Sequence, residues 1–359
     1  MRNEIGKMKI VNTSRRKVLI RTDANPVIAG GHVMRCLSVA DALAGLGADV
    51  SFVLSDSNSV QLIESRGFAT SVLGSNWRDI GDGADELCRL CDDAELPIVL
   101  VDTYSVSREF VDCLAQHAKV CYLGSKDGDL GKLSLIINYS TCIDEAFYEE
   151  TYGDRGTKLL FGPKYAPLRP CFASAYRECS AEIEHVLVTT GNTDPQGFLP
   201  TFLGVALSDK RLSNITFTAV VGRMVADDVA AKVKLIESRS PRVKMLRAVT
   251  DMAGLMGQCD AAVSANGTTV YELFAAGLPS VTFAMVEEQV QSAESLAKLG
   301  AVEYCGLMGN EPHATAVESV NRLEDLVASH DRAVALATRA HALVDGYGAN
   351  KIAKEILSL

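Results

Sequence analysis

His32 follows the small-residue run Ala29-Gly30-Gly31, where a strand-like segment ending at Asp23 gives way to a helical pattern. A histidine in the first turn of such a helix faces whatever lies beyond the strand end. The positive end of the helix dipole works against an imidazolium, which leaves the ring available as a proton acceptor. Gly30 and Gly31 let a ligand approach the backbone closely. Arg35, one turn along, can hold an anion or pair with Asp23. A capped helix with a surface histidine explains the same residues equally well.

A second strand-to-helix turn, Ser264-Ala265-Asn266-Gly267-Thr268-Thr269, leads into a helix carrying Glu272. Free amides at that helix start, helped by the threonine hydroxyls, form a natural pyrophosphate cradle. Glu272 lies one turn beyond Thr268 on the same face, where its carboxylate can accept both hydroxyls of a ribose. An N-capped helix with a solvated glutamate is the plainer reading. Gly191 and Asn192, in the turn Thr189–Pro195, can line the same phosphate site from the other side. Glu288 and Gln289 follow another strand and can reach sugar hydroxyls, although carboxylates are favoured at a helix start in any case. Tyr104, just past the strand ending at Asp102, either contacts a sugar, orients His32 or is a buried structural tyrosine.

These turns need strands and helices to hold them, and the chain alternates the two. Apolar runs at 17–21, 48–56, 68–73, 97–102, 118–123 and 133–137 are separated, as far as 117, by helical patterns. A second series begins at 185–191 and continues through 215–222, 243–249, 259–265 and 279–285. Strands alternating with helices imply βαβ units and parallel sheets. The expected organisation is an extension over 1–16, a Rossmann-like domain over 17–170 and a linker over 171–182. A second Rossmann-like domain follows over 183–346, and a terminal helix over 347–359 crosses back to brace the first domain. Two open α/β domains put a ligand cleft between the carboxyl ends of their strands.

Bulk properties narrow the function. A chain of 359 residues accommodates two ordinary domains. A net charge of −10 lacks the basic surface of a general nucleic-acid binder. No apolar stretch is long enough for a signal peptide or a membrane span, so a cytoplasmic protein without membrane insertion is expected. Ten cysteines are scattered through the chain. Cys88 and Cys91 form a C-x-x-C with no second pair at zinc spacing, and they read as buried thiols on an amphipathic helix. No acidic cluster has metal-binding spacing, so neither a metal nor another cofactor is expected. Oligomeric state is not legible.

Taken together, the motifs resemble the UDP-2,4-diacetamido-2,4,6-trideoxy-β-L-altropyranose hydrolase family of pseudaminic acid biosynthesis. The resemblance rests on Arg21-x-Asp23, Gly31-His32-Val33-Met34-Arg35-Cys36, Asp102-Thr103-Tyr104 and Gly162–Arg169. It extends through Gly191–Pro195, Ser264, Glu272-Leu273, Gly277-Leu278-Pro279 and Gln289, covering residues 17 to 357. It implies a GT-B fold, related to the lipid-linked peptidoglycan N-acetylglucosaminyltransferase. It also implies metal-independent attack of water at the anomeric carbon, with inversion and with UDP as leaving group. His32 matches that family's general base, Tyr104 its active-site tyrosine and Glu272 its ribose-binding carboxylate. The sequence departs from many relatives at Gly124-Ser125 (Asp-Asp), Asn192 (glycine) and Glu288 (asparagine). Two alternatives stand beside hydrolysis: a GT-B glycosyltransferase with a UDP-sugar donor, and a degenerate UDP-sugar-binding protein.

Overall fold

The computed structural model describes residues 15–25, 27–28, 30–93, 95 and 97–359. Residues 1–14 of the expected extension lie outside them. The first sheet has seven strands: β1 (Lys17–Thr22), β2 (Asp49–Leu54), β3 (Ala69–Val72), β4 (Ile98–Asp102), β5 (Lys119–Leu123), β6 (Leu135–Asn138) and β7 (Lys158–Phe161). Their order is β3-β2-β1-β4-β5-β6-β7. The second sheet has six: β8 (His185–Thr189), β9 (Thr216–Val221), β10 (Val243–Arg247), β11 (Ala261–Ala265), β12 (Ser280–Ala284) and β13 (Glu303–Leu307), ordered β10-β9-β8-β11-β12-β13.

Every pairing in both sheets is parallel. Helices cover both faces of a parallel sheet, so its central strands must be apolar on both sides. That is why β4, β11 and β12 are buried at every position. Val, Ile, Leu, Ala and Phe dominate these strands, with only Asp102, Ser264, Ser280 and Thr282 as buried polar residues, and that is the pattern the sequence displays.

Two strands were not anticipated from the sequence. Lys158–Phe161 and Glu303–Leu307 are edge strands, each only partly buried; the first has a short apolar run, Leu159–Phe161, and Gly306 interrupts the second. The segment 171–182 is not loose: Phe172 is fully buried in the same apolar cluster as Tyr271 and Phe274. Arg177 donates to the Asp260 carboxylate at 2.9 Å. The terminal helix Gly348–Leu357 buries Ile352, Ala353 and Ile356 in the apolar cluster of the first sheet, against the helix Gly31–Gly45.

Glycine is required at one turn that shapes the cleft. A Cβ on Gly222 would overlap the Gly191 carbonyl oxygen and lie 2.5 Å from that of Asn192. The turn after β9 is thereby pressed against the turn after β8, and the Met224 amide donates to the Asn192 carbonyl at 3.0 Å. Gly222→Ala forces backbone apart at both turns. We expect a stability loss of about 1–3 kcal/mol, measured by denaturant unfolding; an unchanged midpoint would show that the two turns are not packed this way.

Candidate active site

A cleft of about 650 Å³ opens between the carboxyl ends of the two sheets. The first domain contributes Gly30, Gly31, His32, Arg35, Tyr104 and Tyr139 to its walls, and the second contributes Gly191, Asn192, Thr268, Thr269 and Glu272.

The first wall is built by helical spacing. His32, Arg35 and Cys36 stand at i, i+3 and i+4 on the helix Gly31–Gly45, hence on one face. All three meet Asp102, the fully buried last residue of β4. His32 Nδ1 and Asp102 Oδ1 are 2.5 Å apart. The Arg35 guanidinium grips both Asp102 oxygens, Nε to Oδ2 at 2.6 Å and Nη2 to Oδ1 at 2.5 Å. Its Nη1 donates to the Tyr139 hydroxyl at 2.9 Å, and Cys36 Sγ donates to Asp102 Oδ2 at 3.3 Å.

Burial works against the charge on Asp102, yet the Arg35 fork and His32 outweigh it and hold the carboxyl below its ordinary range. An ionised Asp102 accepts a proton-bearing Nδ1, which assigns the Nδ1–H tautomer to His32 and leaves Nε2 with its lone pair. The Tyr104 ring meets the imidazole edge-on, with centroids 4.4 Å apart. Tyr104 itself is 71% exposed, so it is a residue of the cleft mouth and not a buried structural tyrosine.

In the second wall, Gly267 precedes the helix Thr268–Ala276, which has no capping side chain and no acidic residue in its first turn. The Val270 amide donates to the Gly267 carbonyl at 3.0 Å, which leaves the amides of Thr268 and Thr269 to solvent or to a ligand. Glu272 Oε1 accepts from Arg169 Nη2 at 3.0 Å, and Arg169 Nη1 donates to the Thr250 carbonyl at 3.0 Å. Burial pushes the Glu272 carboxyl up, opposed by Arg169. Ala248, also in the wall, has φ 54, the only non-glycine with positive φ among the described residues. Such a conformation costs about 1–3 kcal/mol and recurs at functional sites.

Not every expected residue reaches the cleft. Asp23 is buried elsewhere: Arg21 Nη1 donates to it at 2.6 Å and the Ser55 amide at 2.7 Å. Arg35 therefore pairs with Asp102, not Asp23. Asn266 and Gln289 form a clasp between the turns after β11 and β12. Asn266 Nδ2 donates to the Gln289 carbonyl at 3.3 Å, and Gln289 Oε1 accepts from the Met285 amide at 2.8 Å. Glu288 is exposed, and neither it, Gly267, Asn266 nor Gln289 is part of the wall.

Conversely, Asp102, Tyr139, Arg169 and Arg223 carry no sign of a role in the sequence, although Asp102 and Arg169 lie inside the motifs of the resemblance. The pairing of Asp102 with His32 depends on two strands being neighbours, Thr22 opposite Asp102, and no local spacing encodes that.

No protein-family profile matches the chain. Among curated proteins, the spore coat polysaccharide biosynthesis protein SpsG of Bacillus subtilis is 27% identical over 264 residues, 71% of this chain and 74% of that protein. Among solved structures, MurG of Acinetobacter baumannii superposes with a TM-score of 0.66 at 16% identity, over 96% of this chain and 100% of that one. UDP-GlcNAc 2-epimerase of Neisseria meningitidis, bound to UDP-GlcNAc, gives 0.64 at 13% identity, over 95% and 99%. With its two parallel sheets, the chain has the GT-B fold. Among the described residues, no helix is long and apolar enough to cross a membrane.

Proposed function

We propose that this chain is a UDP-sugar enzyme that breaks the anomeric C–O bond, with His32 as the base. The observation that carries this reading is the dyad. His32 stands in the cleft wall with Nδ1 tied to a buried, Arg35-held Asp102, so that Nε2 is free to take a proton. An oxygen nucleophile attacks C1 and gives its proton to Nε2. The C1–O bond breaks, and its electron pair leaves on the terminal phosphate of UDP. Orientation of this kind makes general-base catalysis efficient.

The second wall suits the nucleotide. The leading amides of Thr268–Ala276 stabilise the leaving diphosphate. Val249 and Met252, both partly exposed, offer an apolar shelf to a planar base. The free carboxylate oxygen of Glu272 suits a ribose hydroxyl. The UDP-GlcNAc bound to the Neisseria epimerase supports a sugar nucleotide as the ligand class.

Two nucleophiles fit the dyad. The motif resemblance favours water, hence hydrolysis of a UDP-2,4-diacetamido-2,4,6-trideoxyhexose in pseudaminic acid biosynthesis. The polysaccharide-biosynthesis description of the Bacillus relative favours an acceptor hydroxyl, hence transfer. On the comparisons alone, transfer is the better supported. Supplying candidate UDP-sugars with and without a hydroxyl acceptor separates them: free sugar without acceptor means hydrolysis, and a coupled product means transfer.

The nucleotide half has its own test. Glu272→Ala is expected to weaken UDP binding roughly ten- to hundred-fold, the scale of a hydrogen bond to a charged group, with the thermal midpoint little changed. Calorimetric titration measures it, and unchanged UDP affinity would remove Glu272 from the ribose site.

A further inference from the structure

The cleft wall carries three guanidinium groups, from Arg35, Arg169 and Arg223, and one carboxylate, Glu272. Two of these cations are already committed. Arg35 is forked onto Asp102, and Arg169 is paired with Glu272. Arg223 has no carboxylate within ion-pair distance among the described residues. The nearest acidic residues along the chain are engaged elsewhere, Asp227 by Arg247 at 2.9 Å and Asp228 by Lys232 at 3.5 Å.

Its position is fixed by the backbone. Arg223 follows Gly222, whose turn is pressed against the Gly191–Asn192 turn. Met224 is hydrogen-bonded to Asn192 on its other side, and Val225 is anchored in the core at 3% exposure. An exposed, uncompensated cation is thus mounted on two interlocked turns at the cleft's second wall.

Resting on the sugar-nucleotide reading, the geometry points to Arg223 as the cation that neutralises the terminal phosphate of the nucleoside diphosphate. When the C1–O bond breaks, the electron pair moves onto that phosphate, and a fixed guanidinium stabilises the charge as it develops. No proton is delivered to the leaving group. The chain's own arginine supplies the counter-charge at this point.

Titrating wild type, Arg223→Ala and Arg223→Lys with UDP, UMP and uridine by calorimetry tests the assignment. Arg223→Ala is expected to lose roughly ten- to hundred-fold in UDP affinity, little for UMP and nothing for uridine. Arg223→Lys is expected to keep part of the UDP affinity, because a point charge remains without the fork. Added salt is expected to weaken UDP binding more in wild type than in Arg223→Ala. Equal UDP affinity for wild type and Arg223→Ala would overturn the assignment while leaving the sugar-nucleotide reading standing, and so would an equal loss for all three ligands. A wild type that binds no UDP would overturn that reading and the assignment with it.

Discussion

His32→Ala is expected to lower UDP-sugar turnover about 10²- to 10⁴-fold, the span that a positioned general base contributes, while UDP affinity stays close to wild type. The split follows from the geometry. His32 belongs to the first wall, with Asp102 and Tyr104, whereas the residues assigned to the nucleotide belong to the second. Steady-state kinetics with calorimetry measures both quantities. A variant that turns over near the wild-type rate would remove His32 from the chemistry. One that loses UDP affinity in step with turnover would place it in binding instead.

Asp102→Asn tests the residue behind the base and is expected to act on two observables. An asparagine side chain fills the same volume but can present its amide nitrogen to His32 Nδ1, which favours the tautomer with the proton on Nε2. That form cannot accept a proton from the nucleophile, so turnover falls by about 10² or more. The same change leaves the Arg35 guanidinium facing a neutral group. Breaking a buried pair costs about 3–5 kcal/mol, and Arg35 keeps its Tyr139 contact and partial exposure, so the lower end is expected in denaturant unfolding.

The pH dependence has a definite sign. Asp102 has a folded-state carboxyl below its ordinary value, so its stabilisation is full at neutral pH. It is lost as the pH falls through that depressed value. The asparagine variant is expected to lack that acid-side loss. Wild-type turnover with native stability in Asp102→Asn would refute the dyad.

Fold and site were legible to different depths. The parallel sheets were readable because their central strands, such as Ile98–Asp102 and Ala261–Ala265, are buried on both faces and are therefore mostly apolar. The edge strands Lys158–Phe161 and Glu303–Leu307 escape the same test, since one side of each meets solvent. In the cleft, the glycine-bearing turns announce themselves by residue type, and Gly30, Gly31, Gly191, Thr268 and Glu272 all lie in its walls.

Partners joined by tertiary packing were not visible in that way. Asp23 sits at a strand end just as Asp102 does, and both precede a loop. Only the neighbouring Arg21 and Ser55 decide that Asp23 is consumed internally. Asn266 and Gln289 likewise look free in the sequence, yet Asn266 spends its amide on the Gln289 carbonyl and Gln289 spends its side chain on the Met285 amide of its own turn. Arg169, at the close of the first domain's last motif, shows no partner in the sequence until the chain folds it onto Glu272.

Scission between the anomeric carbon and its oxygen, as opposed to scission at phosphorus, is read from the fate of a labelled oxygen. Wild type would be incubated with candidate UDP-sugars in ¹⁸O-labelled water, with and without a hydroxyl acceptor, and the products weighed by mass spectrometry. Attack at the anomeric carbon yields free UDP that carries no label. If water is the nucleophile, the label enters the released sugar; if an acceptor is, an unlabelled coupled product appears. Label in a UDP phosphate oxygen would place the attack at phosphorus and contradict the account.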